Sequence, residues 1–201
     1  MRSSVIFISL VLFLGGCASH SPTTIEPFMF KPGVIRHESA DFVVGVELYD
    51  DPKAIEQIFQ RDLAASGYTA TRLRIANQSK ERFILTRANV SLIDGAGNRY
   101  AAVASTDVAD ALDRDFVPYA VLGFGSWSAK SVEDANAAMR EDWADKELPD
   151  PVLFGGRGAQ SGFVFFAPAA GKIEPDSVLE LVFDDFPGEG KRTLSIRLSE
   201  R

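Results

Sequence analysis

From residue 42 to residue 49 apolar side chains fall at every second position, Phe42, Val44, Val46 and Leu48, and this period of two predicts a half-buried strand. The period changes at Asp51. Placed as an N-cap with Pro52 at the first helical position, Asp51 opens a helix on which Ile55, Ile58, Phe59 and Leu63 recur at helical spacing, with Gly67 expected to end it. The strand rhythm returns over 68–76, where Leu73 and Ile75 alternate with Arg72 and Arg74, and Asn77-Gln78-Ser79 supplies a turn. Short strands over 83–86, 88–93 and 99–104 then read as a meander, the last two joined by Asp94-Gly95-Ala96-Gly97-Asn98. Three more strands are predicted at 162–167, 178–183 and 193–198.

Residues 105–148 break this rhythm and read as a helical insertion between the two groups of strands. Residues 106–114 carry Val108 and Leu112 at helical spacing. Further on, Ser131 and Asp134 offer a capping box, and Val132, Ala135, Met139 and Trp143 trace one stripe opposite Glu133, Arg140, Glu141 and Asp145. The expected fold is therefore mainly β: an antiparallel sandwich with Greek-key or immunoglobulin-like connections, an early helix and a helical insertion.

The N-terminus follows a different pattern. A run from Val5 to Leu14, after a short stretch carrying Arg2, is apolar but too brief to span a bilayer, which takes about 20 residues. It reads as a signal peptide. The sequence Leu14-Gly15-Gly16-Cys17 at its end resembles the lipobox of bacterial lipoproteins. That resemblance implies cleavage after residue 16, a diacylglyceryl group on the Cys17 thiol and acylation of its freed amine. Two or three acyl chains anchor stably where one is marginal. In the same family the residue after the cysteine directs sorting, and Ala18 in place of Asp implies the outer membrane; the domain is expected to face the periplasm, with surface exposure as the alternative. The implied organisation is a leader over 1–16, a lipidated cysteine with a flexible tether over 17–32, rich in Ser, Thr and Pro, and one domain over 33–201. Phe28, Met29 and Phe30 interrupt the tether and are expected to dock on the domain rather than sit among headgroups.

Cleavage would leave 185 of the 201 residues, enough for one domain with its own core. The formal charge is −7, and −8 once Arg2 is removed; with no Lys/Arg run, a nucleic-acid partner is not expected and membrane attachment falls to the lipid. Cys17 is the single cysteine, so the domain has no thiol for a disulfide, a zinc site or a nucleophile. His20 and His37 both precede the first predicted strand. No histidine is therefore expected in the folded body, which argues against Ser-His-Asp and Cys-His catalysis and against a histidine-rich metal site.

Four clusters of candidate chemistry each have a simpler reading. Asp107, Asp110, Asp113 and Asp115 offer hard oxygen ligands, but their helical spacing and the missing EF-hand glycine read as a solvated face. Asp50-Asp51 and Asp184-Asp185 resemble catalytic carboxylate pairs, yet adjacent strand residues point opposite ways. The glycines from Gly155 to Gly162 lack the following Lys-Ser/Thr and helix of a phosphate-binding loop. The run from Phe116 to Trp127 either enlarges the core or, if exposed, forms an apolar interaction surface. Phe116, Tyr119, Leu122, Phe124 and Trp127, joined by Trp143, are the candidate surface residues.

Two further stretches are similar to immunoglobulin-like domains of uncharacterised bacterial envelope lipoproteins. They are the strand Leu73-Arg74-Ile75-Ala76-Asn77 with Leu92-Ile93-Asp94, Gly97 and Tyr100, and the later Gly155-Gly156 with Gly162-Phe163-Val164-Phe165-Phe166. The resemblance implies a fold and an envelope setting, with no catalytic residues to transfer. The expectation is a lipid-anchored, non-catalytic binding or structural domain, without cofactor or metal, whose partners are the membrane through Cys17 and an envelope protein. The alternatives are a subunit of a secretion or transport complex and a histidine-independent hydrolase using carboxylates or a Ser/Lys pair.

Overall fold

A computed structural model describes residues 20–49, 51–113, 125–168, 173–174 and 176–199, with side chains in the long insertion helix described from residue 130. In chain order the elements are β1 (Val34–Glu38), β2 (Phe42–Leu48), α1 (Pro52–Phe59), β3 (Thr69–Asn77), β4 (Arg82–Leu85), β5 (Val90–Ile93), β6 (Arg99–Ala101), α2 (Ser105–Ala111), α3 (Gly125–Lys146), β7 (Val152–Phe154), β8 (Ala159–Phe166), β9 (Val178–Phe186) and β10 (Lys191–Arg197). The protein is mainly β, built from two antiparallel sheets and a layer of helices.

The first sheet runs β1-β2-β3-β8. In the second, β9 is central, with β10 along one edge and both β4 and β5 along the other; β7 extends β4 and β6 extends β5. The expected meander is thus corrected in one respect. β5 and β6 form the predicted hairpin, but β4 and β5 do not pair with each other: Ile84 faces Asp184 and Val90 faces Leu181 on the same strand. The intervening 3₁₀ turn, Arg87–Asn89, is looped out of one interrupted strand, as in a large bulge.

Alternation places the core. Phe42, Val44 and Val46 of β2 and Leu73 and Ile75 of β3 meet Phe83, Leu92, Leu181, Phe183 and Ile196 from the second sheet. Phe42 stacks on Phe183 with ring centroids 4.0 Å apart and lies 4.8 Å from Phe83. On the other face of the first sheet, Ala70, Phe163 and Phe165 meet Ile55 and Phe59 of α1, Val108 and Ala109 of α2, and Met139 and Trp143 of α3. The molecule therefore has three layers: helices, first sheet, second sheet. β8 is buried on both faces, Val164 and Phe166 inward and Phe163 and Phe165 toward the helices, which explains why Phe163-Val164-Phe165-Phe166 is unbroken by polar residues.

The insertion is tied to the sheet at both ends. Before α2, the Val103 amide donates to the Phe165 carbonyl, and after α3 the Leu148 amide donates to the Phe163 carbonyl, each 2.9 Å. The Leu148 backbone crosses so close to β8 that a Cβ on Gly162 would lie 2.4 Å from the Leu148 nitrogen. α2 has no side-chain cap of its own. Instead Glu147 from the end of α3 accepts from the Ser105 amide (3.2 Å) and hydroxyl (2.6 Å), and Arg87 donates to the other Glu147 oxygen at 3.1 Å.

Four local expectations are corrected. α1 is capped by Asp51, whose Oδ1 accepts from the Lys53 amide at 3.0 Å, but it ends at Phe59. Gln60 takes the left-handed conformation, and Gly67 closes a separate 3₁₀ turn. Ser131 and Asp134 are not a capping box, because α3 starts at Gly125 and both lie in its interior. β8 starts at Ala159 rather than at residue 162, preceded by the short β7. β1 lies before the first predicted strand, and His37 within it pairs with Val44, so a histidine does stand in the folded body.

Candidate functional site

A polar cluster lies on the outer side of the first sheet, where the N-terminal segment meets α1, β2, β3 and α3. The segment is laid along this surface and does not hang free. Phe28 is buried and sits with Phe30 over Gly45, where a Cβ would come within 2.7–2.9 Å of their rings. Gly45 interrupts an otherwise alternating β-branched strand because the two rings need its bare backbone. The Arg72 guanidinium lies 5.5 Å from the Phe28 centroid and 5.9 Å from that of Phe163, and donates to the Glu26 carbonyl at 2.6 Å. Ile25 packs against the aromatic cluster beneath the helices.

Further toward the N-terminus, the Thr23 hydroxyl donates to the Gln57 carbonyl (3.3 Å) and the Gln60 side-chain amide bridges to the Ser21 backbone. His20 Nε2 then lies 2.9 Å from Asp142 Oδ2, with both side chains buried. Lys146 pairs with the same carboxylate oxygen and donates to the Ile58 carbonyl at 3.2 Å. An unpaired buried carboxylate would be costly, so His20 and Lys146 together make the buried Asp142 tolerable. The expected flexible tether is corrected for residues 20–32: the Gln60 and Arg72 side chains bond its backbone at Ser21 and Glu26, Asp142 holds the His20 side chain, and its own Phe28 and Phe30 rings rest on Gly45.

A second set of charges flanks the first. Glu47 pairs with Lys31 at 2.6 Å and Arg72 at 3.7 Å and accepts from the Tyr49 hydroxyl at 3.1 Å. Burial, then the adjacent Glu47 carboxylate, hold the Tyr49 phenol well above its ordinary range, so it stays protonated and donates. Between Thr23, Ile25, Arg72, Asp145, Lys146 and Ser161 runs an open groove of about 310 Å³. The cations on its walls are already committed: Arg72 to Glu26 and Glu47, Lys146 to Asp142 and Ile58. Chemically, this arrangement is suited to holding a peptide segment in place.

The residues singled out from the sequence are scattered. Trp143, a candidate surface residue, is fully buried; its indole N–H donates to the Phe59 carbonyl at 3.2 Å and its ring stacks on Phe165 at 6.2 Å. It belongs to the core. Phe116, Tyr119, Leu122 and Phe124 lie outside the described residues, as do the Trp127 side chain and Cys17. Of the acidic cluster, Asp110 and Asp113 both pair with Arg140 across the α2–α3 contact, and Asp115 is not among the described residues. Asp51 is a helix cap, with Asp50 outside the described residues. Asp184 accepts from Asn89 at 2.9 Å and pairs with Lys191 at 3.4 Å, whereas Asp185 pairs with Arg192 at 3.5 Å. These carboxylates serve turns and sheet edges. In the glycine-rich loop the Arg157 amide is spent on the Ser79 carbonyl and the Gly158 amide on that of Gly155. Gly156 is where the Lys80 carbonyl passes, 2.9 Å from a Cβ position.

The contacts of the N-terminal segment with Gln60 and of His20 with the Asp142–Lys146 pair have no signature in the sequence, because nothing local links a tether to a helix over a hundred residues away. One signal was present: an isolated glycine inside a strand marks a close approach.

No family model matches the chain, and no curated protein matches it. Among solved structures it is similar to a functionally unknown protein from Listeria monocytogenes EGD-e, at 10% identity and a TM-score of 0.39, over 83% of this chain and 82% of that one.

Proposed function

We propose that the protein is a bacterial envelope lipoprotein, anchored through lipid on Cys17, whose folded domain binds or braces another envelope component and performs no catalysis. The observation that carries this reading is Leu14-Gly15-Gly16-Cys17 at the end of a short apolar run, in a chain with no other cysteine. Ala18 favours delivery to the outer membrane. An immunoglobulin-like domain is supported by the pairing pattern, with β3 between β2 and β8 in one sheet and β9 between β10 and the β4/β5 pair in the other. A non-catalytic role is supported by the commitment of Asp142, Asp184, Asp185 and Glu147 to ion pairs within the fold. Among the described residues no helix is long and apolar enough to cross a membrane.

Replacing Cys17 by Ser tests the reading. The variant is expected to keep the native melting temperature of the domain and to leave the membrane fraction. Persistence of the C17S protein in pelleted membranes would overturn the anchoring.

A further inference from the structure

The chain emerges from the domain at one defined place, and that fixes which side of the molecule meets the bilayer. From Phe30 back to His20 the segment is held in sequence by Gly45, Arg72, Gln57, Gln60 and Asp142. All of these contacts lie on the outer face of the first sheet or on α1 and α3, the helical side of the three layers. Only three peptide units separate Cys17 from His20, whose side chain is buried, and a fully extended chain covers about 3.3–3.6 Å per residue, so the acylated residue lies within roughly 11 Å of His20. A tether spanning 17–32 without contacts would have reached about 50 Å.

We propose that the helical layer, α1 with the C-terminal half of α3, is held against the lipid headgroups, and that the second sheet is presented away from the membrane. The proposal rests on lipidation of Cys17. With layers stacked about 10 Å apart, the outer face of β10 stands some 20 Å farther from the bilayer than the helices do. Attraction does not set this orientation. The exposed positions Glu133, Asp134, Glu141 and Asp145 of α3 are acidic and have no affinity for anionic headgroups. The short leash sets it, so the orientation persists at high salt.

Because Cys17 is the single native cysteine and its thiol is acylated, a cysteine introduced elsewhere is the only free thiol. The test places an environment-sensitive fluorophore at Ala144→Cys on α3, Glu56→Cys on α1, Ser195→Cys on β10 or Leu153→Cys on β7, all exposed positions. Each lipidated protein is reconstituted into phosphatidylethanolamine/phosphatidylglycerol vesicles doped with a headgroup-attached quencher. The expected result is several-fold stronger quenching at Ala144→Cys and Glu56→Cys than at Ser195→Cys and Leu153→Cys, unchanged by added salt. The combined change His20→Ala with Gln60→Ala lengthens the leash and is expected to even out the four signals while the protein still floats with vesicles. Equal quenching at all four sites in the otherwise native, vesicle-bound protein would overturn the orientation. Protein that fails to float at all would instead refute the lipid anchor, so the two failures are distinguishable.

Discussion

Gly45 and Gly162 fill the same need in different surroundings. At Gly45 a methyl group would collide with the ends of two phenyl rings, which can swing away. At Gly162 it would collide with the Leu148 backbone, which cannot. Gly45→Ala is therefore expected to release the N-terminal segment, seen as rapid proteolysis within residues 20–32, with a small loss of melting temperature. Gly162→Ala is expected to cost about 1–3 kcal/mol in urea unfolding, the range for overpacking a tight site. Trp143→Ala is expected to lose about 3–5 kcal/mol, as for a large buried aromatic, where a mere partner-contact residue would leave stability untouched. In the β5–β6 turn, Asp94 accepts from the Ala96 and Asn98 amides, the Asn98 side chain and the Tyr100 hydroxyl. The Asn98 side chain foremost holds the Asp94 carboxyl below its ordinary value. A depressed native value stabilises above the ordinary carboxylate range and is lost as pH falls through it. The melting-temperature gap between native protein and Asp94→Ala is accordingly expected to be full at neutral pH and to close in acid.

Elements whose apolar positions alternate or repeat over six or more residues were legible in the sequence. β2, β3, β9 and the Asp51-capped start of α1 all lie where the pattern puts them, because the periodic apolar positions of each pack against one neighbouring layer. Short pieces were not. β7 has three residues, and β1 is an edge strand, Val-Ile-Arg-His-Glu, with little of its surface buried. Helix ends misled for a related reason: α3 begins in the glycine-containing stretch before Ser131, so a capping pattern read inside a helix has no free amides to satisfy. The polar contacts of α2 and α3 differ in worth. The Arg140 pairs with Asp110 and Asp113 are partly exposed, and Arg140→Ala is expected to cost less than about 1 kcal/mol. Glu147→Ala removes the acceptor of the buried Ser105 and of Arg87 together, and about 1–3 kcal/mol is expected in the same unfolding measurement.

At the scale of the whole molecule the insertion is a structural layer. Phe59, Phe163 and Phe165 form an aromatic face with mutual centroid distances near 5 Å where they touch, and α2 and α3 cover it. The sequence showed an amphipathic stripe and an unbroken Phe-rich strand, but not that each was the cover for the other. Long-range packing of this kind has no local signature. It also assigns His20 a new role, since a residue that reads as part of a loose tether is a buried anchor of the N-terminal segment. A domain attached so closely to its anchor would work at the membrane surface, and everything about that setting depends on the modification of Cys17. The most direct measurement is the intact mass of the protein extracted from membranes of the cells that produce it. The account predicts a chain that starts at Cys17 and carries the added mass of a diacylglyceryl group, with or without a third acyl chain. A chain retaining residues 1–16, or one cleaved elsewhere with an unmodified Cys17, would contradict it.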